Sequence, residues 1–306
     1  MTRSPLSTVR FRSPIAHCCR LILTISVVIT ACMVINVNAA PDTSNKTNTL
    51  LPVFSDTVIT QEGLSAEQKG LVIATEMVNR DTGYQSYASE VTMDIIAANG
   101  DSAHRELTIK GQEQSEDGDR IITAFQAPRD IAGTTLLTYS HAIEADDQWL
   151  YLPSIKRVKR ISSNNRSGPF MGSEFAYEDM SSWELDKYRY EFIDARSEGG
   201  KQYWVIACYP QYANSGYTKM IAWIDQTIFQ PRKIEYFDRK NSPLKVLTLT
   251  DFQQYQQQYW RAHVATMVNL QNQRTTRLTW HNFELGLPLN SRQFEPNQLR
   301  FAYQRQ

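Results

Sequence analysis

Val91-Thr92-Met93-Asp94-Ile95 alternates apolar and polar residues, runs on to Asn99-Gly100, and is answered by Leu107-Thr108-Ile109-Lys110. Alternation at period two is the mark of a half-buried strand, and Asn-Gly between two such runs is a hairpin signal. A second turn, Asp117-Gly118, leads to Ile121, Thr123 and Phe125 on a third strand. The same rhythm continues through 134–139, 148–152, 156–161, 187–196, 202–209, 217–225, 231–238, 244–253, 258–269 and 274–284, with Glu198-Gly199-Gly200 and Asn241-Ser242-Pro243 among the turns. Many short strands joined by turns predict a mainly β domain built on one antiparallel sheet or barrel.

Upstream the period is helical. Ser65-Ala66-Glu67-Gln68 is a capping box, with Leu64 placed as a hydrophobic staple. Leu71, Ala74, Thr75 and Val78 predict an apolar helix face, and Gly83 supplies a residue that tolerates the left-handed terminus. At the other end, Arg292 to Leu299 predicts a helical turn. Residues 162–186 break the strand rhythm. Ser162 to Pro169 has loop composition, yet Phe170, Met171, Phe175 and Tyr177 follow at once. A long loop with that aromatic content predicts an ordered functional segment.

The first forty residues differ from the rest. Arg3, Arg10, Arg12 and Arg20 precede an apolar run from Leu21 to Val37, and Val37-Asn38-Ala39 offers small or short residues for cleavage. This reads as a secretory signal over 1–39, followed by a polar flexible leader over 40–63 and a single domain over 64–306. The run is also just long enough to be a retained anchor. Ile29-Thr30-Ala31-Cys32 resembles a lipobox, which gives a membrane-anchored lipoprotein through Cys32 as the alternative to a free periplasmic protein. Against it, Met33-Val34-Ile35 stays apolar where lipoproteins turn polar. Taking four arginines from 32 basic residues leaves 28 against 32 acidic ones. That balance argues against nucleic acid as a partner. Cys208 is the one cysteine beyond the signal, so the domain has no internal disulfide to rely on.

No chemistry-bearing motif stands out. His104, His141, His263 and His281 lack metal-ligand spacing, so no cofactor or metal is expected. Phosphate-binding glycine loops are absent, and Gly172-Ser173 lacks the closing glycine of a nucleophile elbow. Asp146-Asp147 and Glu178-Asp179 read as turn and cap residues. A hydrolase would need Ser173 beside His141 or His263 and an acid.

Three segments carry a family resemblance: Asp146-Asp147-Gln148-Trp149-Leu150-Tyr151-Leu152-Pro153, Lys156-Arg157-Val158-Lys159-Arg160-Ile161, and Gly172-Ser173-Glu174-Phe175-Ala176-Tyr177-Glu178-Asp179. Together with Arg80-Asp81-Thr82-Gly83-Tyr84 and Phe294-Glu295-Pro296-Asn297-Gln298-Leu299, they resemble the outer-membrane lipoprotein-sorting protein family, whose fold is LolA-like. Glu174 stands where that family's pattern has Asp. The resemblance implies a strongly curved antiparallel half-barrel wrapped around helices. It further implies a concave apolar face for lipid or lipoprotein acyl chains, no enzymatic activity, and an inner-membrane transporter of the resistance-nodulation-division (RND) class as partner. On that basis Met93, Ile95, Trp149, Tyr151, Phe170, Phe175, Trp204, Ile206, Ile221 and Trp223 are candidates to line the cavity, with a plain packed core as the competing reading. Residues 65–80 or 162–186 would serve as cover. Lys156, Arg157, Lys159, Arg160 and Arg166 are candidates to meet anionic headgroups or an acidic partner. Alternation along a strand sets Lys156, Val158 and Arg160 on one side and Arg157 and Lys159 on the other. The functional alternative is an adaptor of a transporter complex that carries nothing.

Overall fold

A computed structural model describes residues 63–115 and 117–304; the signal, the lipobox cysteine and most of the leader lie outside them. The helix α1 spans Ala66–Arg80, and its capping box is formed in full: Gln68 N donates to Ser65 Oγ, and Ser65 N donates to Gln68 Oε1. Its inward stripe is Gly70, Ile73, Ala74 and Met77. The expected stripe was one residue out of phase, and Leu71 is half exposed. The reason is Gly70, which carries no hydrophobic signal of its own but is the point of closest approach. A Cβ there would sit 2.7 Å from the backbone nitrogen of Glu191.

The strands are β1 Ser86–Ile96, β2 Ser102–Gln112, β3 Arg120–Ala127, β4 Thr135–Tyr139, β5 Asp147–Leu152, β6 Arg157–Arg160, β7 Tyr188–Glu198, β8 Lys201–Pro210, β9 Tyr217–Asp225, β10 Pro231–Asp238, β11 Pro243–Tyr255, β12 Tyr259–Asn269 and β13 Thr275–Leu285. All pair antiparallel in one sheet of order β6-β5-β4-β3-β2-β1-β13-β12-β11-β10-β9-β8-β7. Two meanders are thus joined where β1 meets β13, with Met93 opposite Leu278. The sheet is strongly curved and not closed into a barrel; β6 and β7 remain its two edges.

This order fixes the path of residues 161–187. The chain leaves one edge of the sheet at β6 and must enter the opposite edge at β7, so the segment between them crosses the concave side. It does so in short 3₁₀ turns, Ser163–Asn165, Phe170–Gly172, Tyr177–Met180 and Leu185–Lys187. Phe170 and Phe175 become core residues, stacked among Phe125, Met93, Met267 and Leu278. The expected C-terminal turn is present and longer than anticipated, as 3₁₀ segments Ser291–Phe294 and Pro296–Gln304. These cover the other face, where Phe294 and Leu299 pack on Ile122 and Leu137. No helix among the described residues is long and apolar enough to cross a membrane.

The contact at Gly70 yields a prediction. Gly70→Ala must push α1 off the β7 backbone and should cost about 2 kcal/mol of stability despite the better helix propensity of alanine. Urea unfolding measures it; an unchanged or raised midpoint would show that α1 is not seated as described.

Candidate functional site

The segment Gly172 to Asp179 is a fastening, built from buried and partly buried polar contacts. Asp179 accepts from the Lys245 ammonium at 2.6 Å, from Ala176 N at 2.7 Å and from the Tyr217 hydroxyl at 2.8 Å. Lys245 donates a second time, to the Glu174 carbonyl at 2.9 Å. The Glu174 carboxylate takes Asn269 Nδ2 at 2.7 Å and Arg274 Nε at 3.2 Å, while its backbone N donates to Thr276 Oγ1. Glu178 accepts from Gly216 N, Ser215 Oγ and Tyr212 OH. Each carboxylate therefore ties the crossing segment to a different strand: Asp179 to β11 and β9, Glu174 to the β12–β13 turn, Glu178 to the loop before β9. A buried pair at the segment's end, Lys187 with Asp146, repeats the device. Burial raises the affinity of Glu178 for a proton, and the charge of Asp179 adds to it. Ser173 donates its hydroxyl proton to the Phe170 carbonyl at 2.7 Å, so it is held as a turn residue.

Beside this plug the concave side stays open. A cleft of about 440 Å³ lies between α1, the end of the crossing segment and the middle of the sheet. That volume falls within the usual range of small-molecule sites. Its apolar walls come from Met77 and Val78 of α1, Ile121 of β3, Leu249 and Phe252 of β11, Trp260 of β12, and Trp280 and Phe283 of β13, with Trp183 from the crossing segment. Tyr87 stacks on Phe283 with ring centroids 5.6 Å apart. It can lie there because Gly111 on the paired strand is bare: a Cβ would fall 2.1 Å from the Tyr87 ring.

One end of the cleft is polar. Asp81, Glu113, Asp117, Asp119 and Glu184 line it, with Arg261 as the one basic lining residue among the described residues. Arg261 pairs with Asp81. Glu113 accepts from Gly83 N and Gln85 N, and Asp119 accepts from Tyr84 OH at 2.5 Å and Ser182 Oγ at 3.0 Å. Burial raises the proton affinity of Asp119. Burial, with the neighbouring Asp119 charge, pushes Glu184 up to about 7. The cleft thus joins a wall that excludes water to a carboxylate that titrates near neutrality.

The residues expected to line a cavity are distributed otherwise. Met93, Ile95, Phe170, Phe175, Trp204 and Ile206 do face the concave side, but inside the closed core. Trp149 and Tyr151 point to the opposite face, under the C-terminal 3₁₀ segments. Ile221 and Trp223 are also on that outer face, because Ala222 and Ile224 between and beyond them take the inner one. There Trp223 lies beneath Lys233 and near Arg196 and Tyr203. None of the ten lines the cleft. Period-two spacing groups residues by face without saying which face is concave. The aromatics that do line it, Tyr84, Tyr87, Trp183, Phe252, Trp260, Trp280 and Phe283, sit in segments mixed with charged and polar residues. Among the cationic candidates, Lys156, Arg157, Lys159 and Arg160 are exposed, on or beside the edge strand β6. Arg166 is the exception. It is buried and donates to the Asp146 carbonyl, which removes it from any headgroup contact.

Two outcomes are expected. Lys245→Met leaves Asp179 buried without its cation and should cost about 3–5 kcal/mol; Lys245→Met with Asp179→Leu should recover part of that in thermal unfolding, and equal losses would show that the pair holds nothing. For Glu184, the folded state keeps a proton that the unfolded chain gives up at its ordinary, lower value. Stability therefore falls as pH rises from about 4.5 to about 7, then levels. Glu184→Gln should raise stability at pH 8 by about 2 kcal/mol and leave it unchanged at pH 4. A gain of the same size at both pH values would contradict the assignment.

Comparison with known proteins agrees with this architecture. A family model whose description reads "Uncharacterized protein" matches residues 117–301. Comparison with curated proteins found no match. Among solved structures, a Vibrio parahaemolyticus domain assigned to outer membrane lipoprotein sorting is 44% identical, covers 76% of this chain and 99% of its own length, and superposes with a TM-score of 0.75. A DUF1329 family protein from Desulfovibrio piger has 22% identity, coverage of 77% and 100%, and a TM-score of 0.74. A LolA superfamily protein from Nitrosomonas europaea has 18% identity, coverage of 76% and 98%, and a TM-score of 0.60. The last two share the fold; the first, with its identity and coverage, shows the kinship as well. The chain belongs to the outer membrane lipoprotein-sorting protein family, with a LolA-like fold.

Proposed function

We propose that this protein is a periplasmic carrier that holds an acyl chain, of a lipoprotein or a lipid, in the cleft between α1 and the sheet. The observation that carries the reading is the cleft itself: about 440 Å³ walled largely by aliphatic and aromatic side chains, beside a buried apolar core. Burial of alkyl surface supplies roughly 0.8 kcal/mol per methylene, so eight methylenes contribute about 6 kcal/mol. The acidic end bears on the kind of cargo. Five carboxylates against one arginine oppose a free fatty-acid headgroup, whereas an esterified or amide-linked acyl chain brings no anion of its own into the cleft. The same geometry bears on the cover. The crossing segment is fastened by buried ion pairs, so the movable wall is the C-terminal end of α1, where Asp81 meets Arg261.

Around this domain, residues 1–39 would direct export and 40–63 would act as a leader, with acylation at Cys32 as the anchored variant. Exchange of cargo with an RND-class transporter of the inner membrane completes the proposal. The adaptor reading draws on the part of the concave side that Phe170 and Phe175 fill, and the same experiment separates the two.

Native mass spectrometry of the purified protein should show a co-purified acyl species, and a fluorescent alkyl ester should bind in competition with it. Ile121→Trp, which fills the cleft from the β3 wall, should weaken uptake at least 10-fold. No bound lipid and no uptake by the folded protein would leave the adaptor.

A further inference from the structure

The edge strand β6 and its approach carry a patch that the core does not explain. Ile155 is 47% exposed and Val158 38%, and Tyr303 of the C-terminal 3₁₀ segment is 42% exposed. Tyr303 and Pro153 converge on Gly133, which places the tyrosine beside the Pro153–Ile155 turn. Three cations stand among these apolar groups. Lys156, Arg157 and Lys159 are exposed, and their side chains carry no hydrogen bond or ion pair among the described residues; Arg160, by contrast, is matched to Asp147. Lysine and arginine on a short edge strand commonly serve to discourage strand pairing. That role accounts for the charges, but exposed Ile155, Val158 and Tyr303 work against it.

Position resolves the problem of alternation. Arg157 and Lys159 pair across from Leu152 and Leu150 and share one face, while Val158, across from Tyr151, takes the other, so cations and apolar side chain leave the strand on opposite faces. An interior strand so built could not present them together. An edge strand can, when the surface it meets lies across the edge: side chains from both faces then reach one plane, the long cations with their stems on apolar surface and their heads outward.

We propose that β6 and the Pro153–Ile155 turn form a docking edge for a bilayer rich in anionic phospholipid. Phosphates meet Lys156, Arg157 and Lys159, while Ile155, Val158 and Tyr303 settle at the boundary between headgroups and acyl chains. The docking edge is distinct from the cleft, which opens between α1 and the middle of the sheet.

The test is sedimentation of the full chain with vesicles. Binding should be strong to vesicles containing about 40% phosphatidylglycerol and weak to pure phosphatidylcholine. It should fall steeply between about 0.1 M and about 1 M salt, as the screening length drops from roughly 10 Å to roughly 3 Å. Lys156→Gln, Arg157→Gln and Lys159→Gln together should weaken partitioning about 100-fold, and Ile155→Ser with Val158→Ser should weaken it further. All five positions are exposed, so circular dichroism should show an unchanged fold. Equal binding to both vesicle types, or a triple variant that partitions like the wild type, overturns the proposal. So does capture of an acidic peptide by β6 in place of vesicles. Uptake of the alkyl ester by the wild-type chain, measured in parallel, keeps the two readings apart: normal uptake without a preference for anionic vesicles sinks the docking edge alone, and preferential vesicle binding without uptake sinks the carrier alone.

Discussion

The connection from β6 to β7 governs the rest of the molecule. An open sheet of thirteen strands with its sequence neighbours β6 and β7 at opposite edges obliges the chain to cross a face of the sheet, and Phe170 and Phe175 take it over the concave side, into the core shared with α1. Backbone laid across an apolar surface brings polar groups with it, and those groups need partners. Lys245, Asp179, Glu174, Glu178 and Asn269 are those partners. A buried ion pair is weak evidence of net stabilisation over an apolar alternative. What this set does supply is placement: a segment with little regular structure is held at one height, so that Phe170 and Phe175 enter the core and Trp183 faces the cleft.

The cleft follows from the same crossing. Where the segment passes, the concave side is full; where it turns toward β7, α1 closes the space only in part. The cleft is thus bounded by two elements held in different ways. The crossing segment is pinned along its length. The helix is seated against β7 at Gly70, and at its end Arg80 lies over the Phe229 ring while Asp81 pairs with Arg261.

The sheet was legible in the sequence because each strand announces itself locally, through alternation and turn residues. The capping box at Ser65 was legible for the same reason. The phase of α1 was not, since the decisive residue, Gly70, is read by hydropathy as nothing. The role of Gly172 to Asp179 was visible as a pattern but not as a fastening, because its partners lie on β9, β11 and the β12–β13 turn. Arg166 sits in a segment of loop composition and looked like a surface cation; the Asp146 carbonyl that buries it is twenty residues away. The cleft-lining residues come from seven separate segments, and no one of them carries enough of the wall to signal a site.

The junction of β1 with β13 has a consequence for how the molecule comes into being. Its first strand finds one of its neighbours in its last, with Tyr87 opposite Leu285. A polypeptide delivered N-terminus first holds one flank of β1 unpaired until the thirteenth strand has emerged. Contacts of that sequence separation are slow to form, and unpaired strand edges are prone to stray association in the interval. The newly made chain is therefore most exposed to aggregation before β13 arrives, and a holding chaperone would act to most effect on the N-terminal meander.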